Sequence, residues 1–451
     1  MIETERIKFL NNKKEKNGDY ILYWMQSSQR TEYNHALEHS IIKANSLKKP
    51  LLVFFGLTEK FPNANLRNFS FMFEGLYEVE KSLRDKGIRF VLWKESPETG
   101  AAEMAKDASV VIVDKGYQKI ERHWRDFVAK NIDCPLIEVE TNTVVPVEEV
   151  SKKEEYSAAT IRPKIKKILD QYMVPLRPIN PIIPSLSMDV DSLEIDFDSL
   201  IKSLNIDRSV NVAPDLFGGT SEAKSNLDIF IKKKLDRYDD LRNNPNLDYL
   251  SNMSPYLHFG QVSPIYIALK IAQTESPGKE PYLEELVVRR ELSMNYVYYN
   301  NHYDSFLGLP DWCKKTLESH EKDSREYIYS IKDFENANTH DPYWNAAQKE
   351  MIYTGKMHGY MRMYWGKKVI EWSKSPKDAY EILIYLNDKY ELDGRDANGY
   401  TGVAWCFGKH DRPWVERKIF GNVRYMNDKG LKRKFDADAY AKRINDYRGH
   451  T

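Results

Sequence analysis

Three tryptophans, Trp344, Trp365 and Trp372, fall within 29 residues in a stretch of helical period. Trp365 and Trp372 are seven apart, which sets them on one helix face about 10 Å from each other. Aromatic residues at that spacing ordinarily pack a core. A cluster of indoles also relays an electron to a buried redox cofactor, and spacing alone does not choose between the two. His358, Arg362 and Met363 lie on the helix of Trp365, and the loop Leu392 to Gly399 (LDGRDANG) holds two carboxylates and two glycines. An arginine in an apolar helix needs an anion, because an unpaired buried charge is very costly. Asp393 is the partner expected, in a structural salt bridge or in a site.

Upstream, Ser251-Asn252-Met253-Ser254-Pro255 precedes YLHFG. Small hydroxyl residues before a proline-started helix cap it, and the same free N–H groups suit a phosphate. Glu284-Glu285 and Arg289-Arg290-Glu291 crowd charge onto a helix over 281–299, where a solvated face is the default. His35-Ala-Leu-Glu38-His39 matches the zinc pattern H-x-x-E-H, with no third ligand to be found. A solvated helix face is the expectation there, and no metal site is expected anywhere. The segment 401–451 carries 12 Lys/Arg against 6 Asp/Glu. In it Lys409, Arg412, Arg417 and Arg424 alternate with Trp405, Trp414, Phe420 and Tyr425, so cations for phosphates stand beside rings that stack on bases or wedge between them.

Two kinds of element must position these residues. Before residue 150, short runs at Tyr20–Trp24, Leu51–Phe55, Arg89–Trp93, Val110–Val113 and Leu136–Val139 alternate with helical periods near 33–47, 69–86, 98–106 and 118–130. Runs that are apolar throughout are buried on both faces, which predicts a parallel, doubly wound α/β sheet of five strands. Neither GxGxxG nor GxxxxGK[ST] supports a nucleotide on it. Residues 151–215 read as a proline-stiffened linker with a helix near 160–172, and 216–451 as an all-α domain. Its helices are expected at 221–236, 263–274, 281–299, 342–354, 357–373 and 376–390.

The 451 residues balance 67 Lys+Arg against 67 Asp+Glu, so any attraction to nucleic acid is local rather than global. With 41% hydrophobic residues the chain builds large cores, which excludes wholesale disorder. Three scattered cysteines exclude a disulfide scaffold. No apolar stretch resembles a signal peptide or approaches the ~20 residues of a membrane helix. The expectation is a soluble cytoplasmic protein, nucleoid-associated if prokaryotic.

The order of several segments is more specific than any one of them. GGTSEA (218–223), Tyr238 with LRNNP (241–245), LSNMSPYLHFGQVSP (250–264), EELVVRREL (284–292), WNAAQKEMIYTGKMHGYMRMYW (344–365) and LNDKYELDGRDANGYTGVAWCFGKHDRPW (386–414) together resemble the class II cyclobutane pyrimidine dimer photolyases over nearly the whole chain. The resemblance implies an α/β antenna domain (1–150) and a helical domain holding reduced FAD (FADH⁻), toward which a dimer is flipped out of the duplex. It implies a carbon–carbon lyase: light drives one electron from the flavin to the dimer, the cyclobutane bonds break, and the electron returns. Tyr238, Leu250, Ser251, Asn252, Met253, Ser254 and His358 would bind FAD. Arg362 and Asp393 would form the ion pair beside the isoalloxazine, and Asn387 or Asn398 would face flavin N5. Glu285 would hydrogen-bond the dimer carbonyl, Met363 would lie between flavin and dimer, and Trp405 would form one wall of the lesion pocket. Some class II members carry tryptophan in the opposite wall, where this chain has Arg289. Trp414 and Arg424 would fill the hole left by flipping, with Lys409, Asp411 and Arg412 on the same DNA-binding run. Trp365, Trp344 and Trp372 would form the relay that photoreduces the flavin. An antenna chromophore, a deazaflavin or a folate, is open, as is an empty cleft. The implied partner is UV-damaged DNA and the implied state a monomer; the alternative is a cryptochrome-type photoreceptor without repair.

Overall fold

The computed structural model describes residues 2–194 and 196–447. The last four positions, counted in the basic segment above, lie outside them. Six strands form one sheet: β1 (Ile7–Phe9), β2 (Tyr20–Trp24), β3 (Leu51–Gly56), β4 (Arg89–Trp93), β5 (Ala108–Asp114) and β6 (Leu136–Val139). Their order is β1-β6-β5-β2-β3-β4. The five expected strands pair in parallel, and every residue of β2, β3, β5 and β6 is buried, as runs without alternation require. The sixth corrects the expectation. β1 runs antiparallel to β6 with Ile7 opposite Val139, and three residues with a lysine in the middle carry no apolar run to reveal an edge strand. Helices His35–Leu47, Leu66–Asp85, Pro97–Met104 and Lys119–Asn131 connect the strands. The strand order reverses at β2, which β5 flanks on one side and β3 on the other. A crevice therefore opens at their carboxyl ends, the ordinary ligand position of such sheets.

From Thr220 onward the described elements are helical. Local caps fix two of the helices that matter. Asp341 accepts the Tyr343 and Trp344 N–H groups and Gly355 closes the Pro342–Thr354 helix in a left-handed conformation (φ 75°). Ser375 caps the Pro376–Tyr390 helix, with Pro376 in its first turn. The helix expected at 281–299 is interrupted: Lys279–Leu283 passes through a π-turn at Glu284–Arg289 into Arg290–Tyr299. The extra residue in that turn shifts the helical phase. Arg290 and Glu291 point inward and are buried, which corrects their reading as a solvated face. Arg290 donates to the Asn142 carbonyl at 2.8 Å, and Glu291 accepts the Val144 and Val145 N–H groups. Burial holds the Glu291 carboxyl up to about 8. His35 and Glu38 are likewise buried rather than solvated, and Glu38 accepts the Ile179 N–H at 2.7 Å. Among the described residues no group of three metal-ligating side chains converges, and no helix is long and apolar enough to cross a membrane.

Two buried arginines bolt the sheet to the helices. Arg30 donates to Thr141 O and Gly260 O, both at 2.8 Å. Arg67 donates to Asn211 O (2.8 Å), Met351 O (3.1 Å), Tyr390 O (2.6 Å) and Ile352 O (2.6 Å), so one guanidinium satisfies the C-terminal carbonyls of two helices. Its burial lowers its pKa to about 10. Replacing Arg67 by alanine strands those carbonyls, and we expect a loss of about 3 kcal/mol or more, from charged hydrogen bonds of about 1.5–3 kcal/mol each. Urea unfolding of the variant against wild type measures it.

Candidate functional site: a cationic cradle beside a file of tryptophans

The Gly359–Trp372 helix starts at His358, whose Nδ1 accepts the Tyr360 N–H at 3.2 Å. Burial and the nearby Lys356 ammonium hold the His358 imidazole down to about 4, so it is neutral. One turn into the helix, Arg362 meets two carboxylates: Glu391 Oε1 at 2.8 Å and Asp393 Oδ1 at 3.7 Å. The expected Arg362–Asp393 pair is therefore a triad with Glu391 as the nearer partner, and Glu391 also accepts the Met357 N–H at 3.0 Å. Burial, then Asp393, outweighs Arg362 and pushes the Glu391 carboxyl up to about 8.

Several buried polar atoms here make no well-formed hydrogen bond among the described residues: Arg362 Nε, His358 Nε2, Glu391 Oε2 and Arg242 Nε, with His358 beside the Arg242 backbone and Glu391 beside Asp393. Such atoms are costly to leave unpaired, and their convergence from three segments describes a cradle for a polar ligand. Lys356 adds a second cation, with Asn252 Oδ1 as its hydrogen-bond partner and a pKa lowered by burial. Asn252 stands in a left-handed conformation (φ 58°) that aims the Ser251–Ser254 turn. That turn corrects one expectation. The Ser254–His258 helix has only five residues and neither serine caps it; Ser251 Oγ instead accepts the Tyr282 hydroxyl at 3.1 Å. Its anion handle is Lys356, which sequence reasoning did not single out. Tyr238 is buried against Phe230 and Tyr282, and Leu250 packs at the edge of the same cluster.

Of the two asparagines, Asn387 is buried, with its amide on Asp388 Oδ1 at 3.1 Å. A Cβ at Gly399 would come within 2.9 Å of that amide, which accounts for glycine there. Asn398 is exposed and spends its side chain on the helix-capping Asp396.

The π-turn presents Glu285, which accepts Arg242 Nη1 at 2.7 Å. Arg242 also lies over the Tyr238 ring, at 5.3 Å from its centroid. It too was missed, since its partner is 43 residues away. Arg289 is exposed and pairs with Glu284 at 3.3 Å, and Glu284 holds Arg162 at 2.7 Å. Met363 and Trp405 are half-buried.

The three tryptophans form a continuous file that the sequence order hides. Trp344, from the preceding helix, lies between the other two: it stacks on Trp365 (centroids 6.5 Å, 11°) and meets Trp372 edge-on (6.2 Å, 65°). Trp365 stands one turn from Arg362, so the file begins at the cradle and runs outward.

The basic C-terminal run divides. Trp414 is 41% exposed, with Arg424 and Arg412 over its ring at 5.1 and 5.6 Å and its indole N–H on Asp411 Oδ2 at 3.2 Å. Lys409, expected to touch DNA, is instead buried, paired with Glu154 and seated over the Tyr296 ring at 4.5 Å. Its charge is spent inside the protein. The loop beyond Trp414 is tethered by His320, which bridges Asp323 (2.7 Å) and Glu416 (3.0 Å). The Asp323 hydrogen bond first, then Glu416, raises the His320 pKa above its ordinary 6.5. A raised folded-state pKa stabilises the tether below the unfolded value and loses that stability as pH rises through the folded one. Affinity for DNA, the partner that the resemblance implies, should fall modestly over that rise, as suits an exposed ion pair. The His320→Gln variant should lack this phase. Titrations at fixed ionic strength test it, and parallel profiles for the two proteins would refute it.

This architecture, a doubly wound sheet joined to a helical domain with a cationic cradle and an indole file, is the photolyase and cryptochrome fold. A class III photolyase from Agrobacterium tumefaciens superimposes with a TM-score of 0.71 at 16% identity, covering 95% of this chain and 87% of that one. An archaeal photolyase from Sulfolobus tokodaii gives 0.71 at 18%, covering 95% and 89%. The DNA photolyase family model matches residues 21–182. The deoxyribodipyrimidine photo-lyase of Methanothermobacter thermautotrophicus is 53% identical over 98% of this chain and 99% of its own length. That of Arabidopsis thaliana is 41% identical over 93% and 88%. The chain belongs to the deoxyribodipyrimidine photo-lyase family. Its activity is accordingly that of a DNA-repair lyase rather than of a light sensor on the same scaffold.

Proposed function

We propose that the protein splits cyclobutane pyrimidine dimers in UV-damaged DNA by light, as a photolyase of the class II type, with FAD as its cofactor. The observation that carries this reading is the cradle itself. Arg362 is paired with Glu391, His358 lies beside Lys356 and the Arg242 backbone, and the indole file starts one turn away, so buried polar groups that lack well-formed hydrogen bonds are neighbours here. These groups fit a folded dinucleotide: cations for its pyrophosphate and for the electron-rich edge of the ring, neutral donors and acceptors for the rest. Reduced FAD, when bound, supplies the photoexcitable electron donor that the reaction requires.

The chain's own residues do the remainder. Lys356 and the Asn252 turn hold the anionic portion. Arg362, kept charged by Glu391 and Asp393, orients the ring and favours negative charge on it. Asn387, buried where Asn398 is not, would be the asparagine that faces the flavin. An ion-paired carboxylate has no proton to give, so while Arg242 holds Glu285, the donor toward a dimer carbonyl is the Arg242 guanidinium. Glu285 then fixes its direction, and the charged donor stabilises the extra electron on the ring. Trp405 and Arg289 wall the pocket, the latter as a guanidinium plane able to stack on a base. Met363 would lie between flavin and lesion. Trp414, with Arg412 and Arg424, enters the duplex where the dimer leaves it, and Asp411 holds the indole in place. Trp365, Trp344 and Trp372 form the photoreduction relay.

A second cleft lies at the switch point between β2 and β5, roughly 1130 Å³ with its open mouth, and is lined by Gln26, Gln29, Asn68, Trp124 and Asp396 among others. Both amide atoms of Gln26, Gln29 Oε1 and Asn68 Nδ2 have no partner there among the described residues. We assign it to an antenna chromophore with neutral hydrogen-bonding edges, held between an antenna domain spanning 1–150 and residues of the helical domain such as His258 and Asp396. Residues 151–215 serve as linker and 216–451 as the catalytic domain. Three buried free cysteines suit a reducing cytoplasm, and we propose a cytoplasmic monomer.

The test is a matched light and dark assay of reduced protein on an oligonucleotide with one thymine dimer, following restored thymine beside the visible spectrum. Repair in light alone with a flavin spectrum is the expected result. Bound flavin without repair would refute the lesion-pocket assignments, and folded protein that binds no flavin would refute the cofactor.

A further inference from the structure

The segment after Val150, read as the start of the linker, holds both sides of the proposed lesion pocket. On one side it grips the loop that follows Trp405. The Tyr156 hydroxyl donates to Asp411 O at 3.0 Å, and the His410 imidazole donates from Nδ1 to Tyr156 O at 2.7 Å. Glu154 takes the Lys409 ammonium. His410 stands in a left-handed conformation (φ 62°), a strain that such neighbours must hold in place. On the other side, Ile161 and Ile165 bury one face of the Ala158–Tyr172 helix, and Arg162 reaches from it to Glu284. The grip is two-pronged: Nε donates to Oε2 at 2.9 Å and Nη2 to Oε1 at 2.7 Å. Glu284 Oε1 in turn lies 3.3 Å from Arg289 Nε. Glu284 and Arg289 are five positions apart, which on an α-helix sets two side chains about 140° apart around the axis. The π-turn spans those same residues, and its wider coil brings them onto one face. A single carboxylate thus joins a linker arginine to the pocket arginine.

We propose that Arg162 is a positioning residue for lesion recognition, acting through Glu284 to fix the plane of the Arg289 guanidinium. This rests on reading Arg289 as a pocket wall. The Arg289 side chain is 49% exposed and ends a flexible stem, so unrestrained it would lose rotamer freedom on stacking. The Arg162–Glu284 fork settles that orientation before the lesion arrives. It takes up Arg289 at Nε and leaves the face of the guanidinium open to a base. A tryptophan in the same wall is rigid and uncharged, and would need no such partner. Glu284 also keeps its charge: the Arg162 hydrogen bond, ahead of Arg289, holds its carboxyl below the ordinary range. Undamaged DNA, whose bases stay stacked, does not reach the wall, so the fork bears on discrimination rather than on general affinity.

The experiment is dark binding of the flavin-loaded protein to a duplex oligonucleotide with one thymine dimer and to the same duplex undamaged. The quantity read is the ratio of the two Kd values, which cancels a general change in phosphate attraction. Circular dichroism and flavin content check folding. Arg162→Ala and Glu284→Gln should each lower the ratio by about two- to fivefold, the range of a partly exposed ion pair. Arg162→Lys should recover part of it, since an ammonium lacks the two-pronged fork. In an Arg289→Trp background, Arg162→Ala should leave the ratio unchanged, because the wall no longer needs the carboxylate. An equal loss in both backgrounds would overturn the proposal, since Arg162 would then act on DNA or on the fold directly. So would a wild-type ratio in Arg162→Ala and Glu284→Gln alongside a lowered ratio in Arg289→Ala. A wild-type ratio in Arg289→Ala would instead overturn the reading of Arg289 as a wall.

Discussion

Arg362→Ala should purify as a folded but colourless or nearly colourless protein. Its guanidinium is the charge that Glu391 and Asp393 were brought together to meet, at 2.8 and 3.7 Å. Removing it leaves Asp393 and the buried Glu391 carboxyl with no cation between them; losing one partner of a buried pair costs up to about 3–5 kcal/mol, reduced as Glu391 takes up a proton. The cradle also loses the group proposed to orient the flavin. If that loss falls on binding, flavin affinity drops by about 10²- to 10³-fold, at 1.4 kcal/mol per factor of ten. Flavin titration by fluorescence quenching measures the affinity, and thermal melts separate it from stability. Arg362→Lys should recover part of the binding, since an ammonium restores the charge without the bidentate fork. A variant that binds flavin like wild type would remove Arg362 from the site.

Trp344→Phe should separate two activities that share one cofactor. Trp344 is the stepping stone, stacked at 6.5 Å from Trp365 and edge-on at 6.2 Å from Trp372. Phenylalanine keeps an aromatic ring in the slot but is far harder to oxidise than an indole. Photoreduction of oxidised enzyme under external reductant should fall to near zero. Repair by chemically reduced enzyme should be unchanged, because a dimer at the cradle does not draw on the file. The smaller ring leaves a void and the Trp365 carbonyl loses its indole N–H donor at 3.0 Å, so a loss of about 1–3 kcal/mol in stability is expected alongside. Photoreduction at the wild-type rate would dismiss the file as core packing, the plainer reading of aromatic residues at helical spacing.

The amino-acid sequence by itself determined what is local. Runs such as LLVFF and VVIV are apolar at every position, and only a parallel sheet covered on both faces buries them so. Asp341-Pro342, Gly355 and Ser375-Pro376 are punctuation read by the backbone within one turn, which is why the Pro342–Thr354 and Pro376–Tyr390 helices stand where their caps put them. The order of the long motifs, through resemblance, carried the family and the candidate residues. What only the tertiary structure decided are the partnerships between segments. Glu391 rather than Asp393 lies nearer Arg362, Arg242 reaches Glu285, Trp344 enters between two indoles of another helix, and Lys409 is spent on Glu154. The π-turn at Glu284–Arg289 turned Arg290 and Glu291 inward, against the solvated face that their charges suggest. Caps and periodicity act over one or two turns and so are legible in a single chain. A charge's partner is chosen by whichever segment folding brings within about 4 Å, and for these residues that segment lies between 29 and 255 positions away.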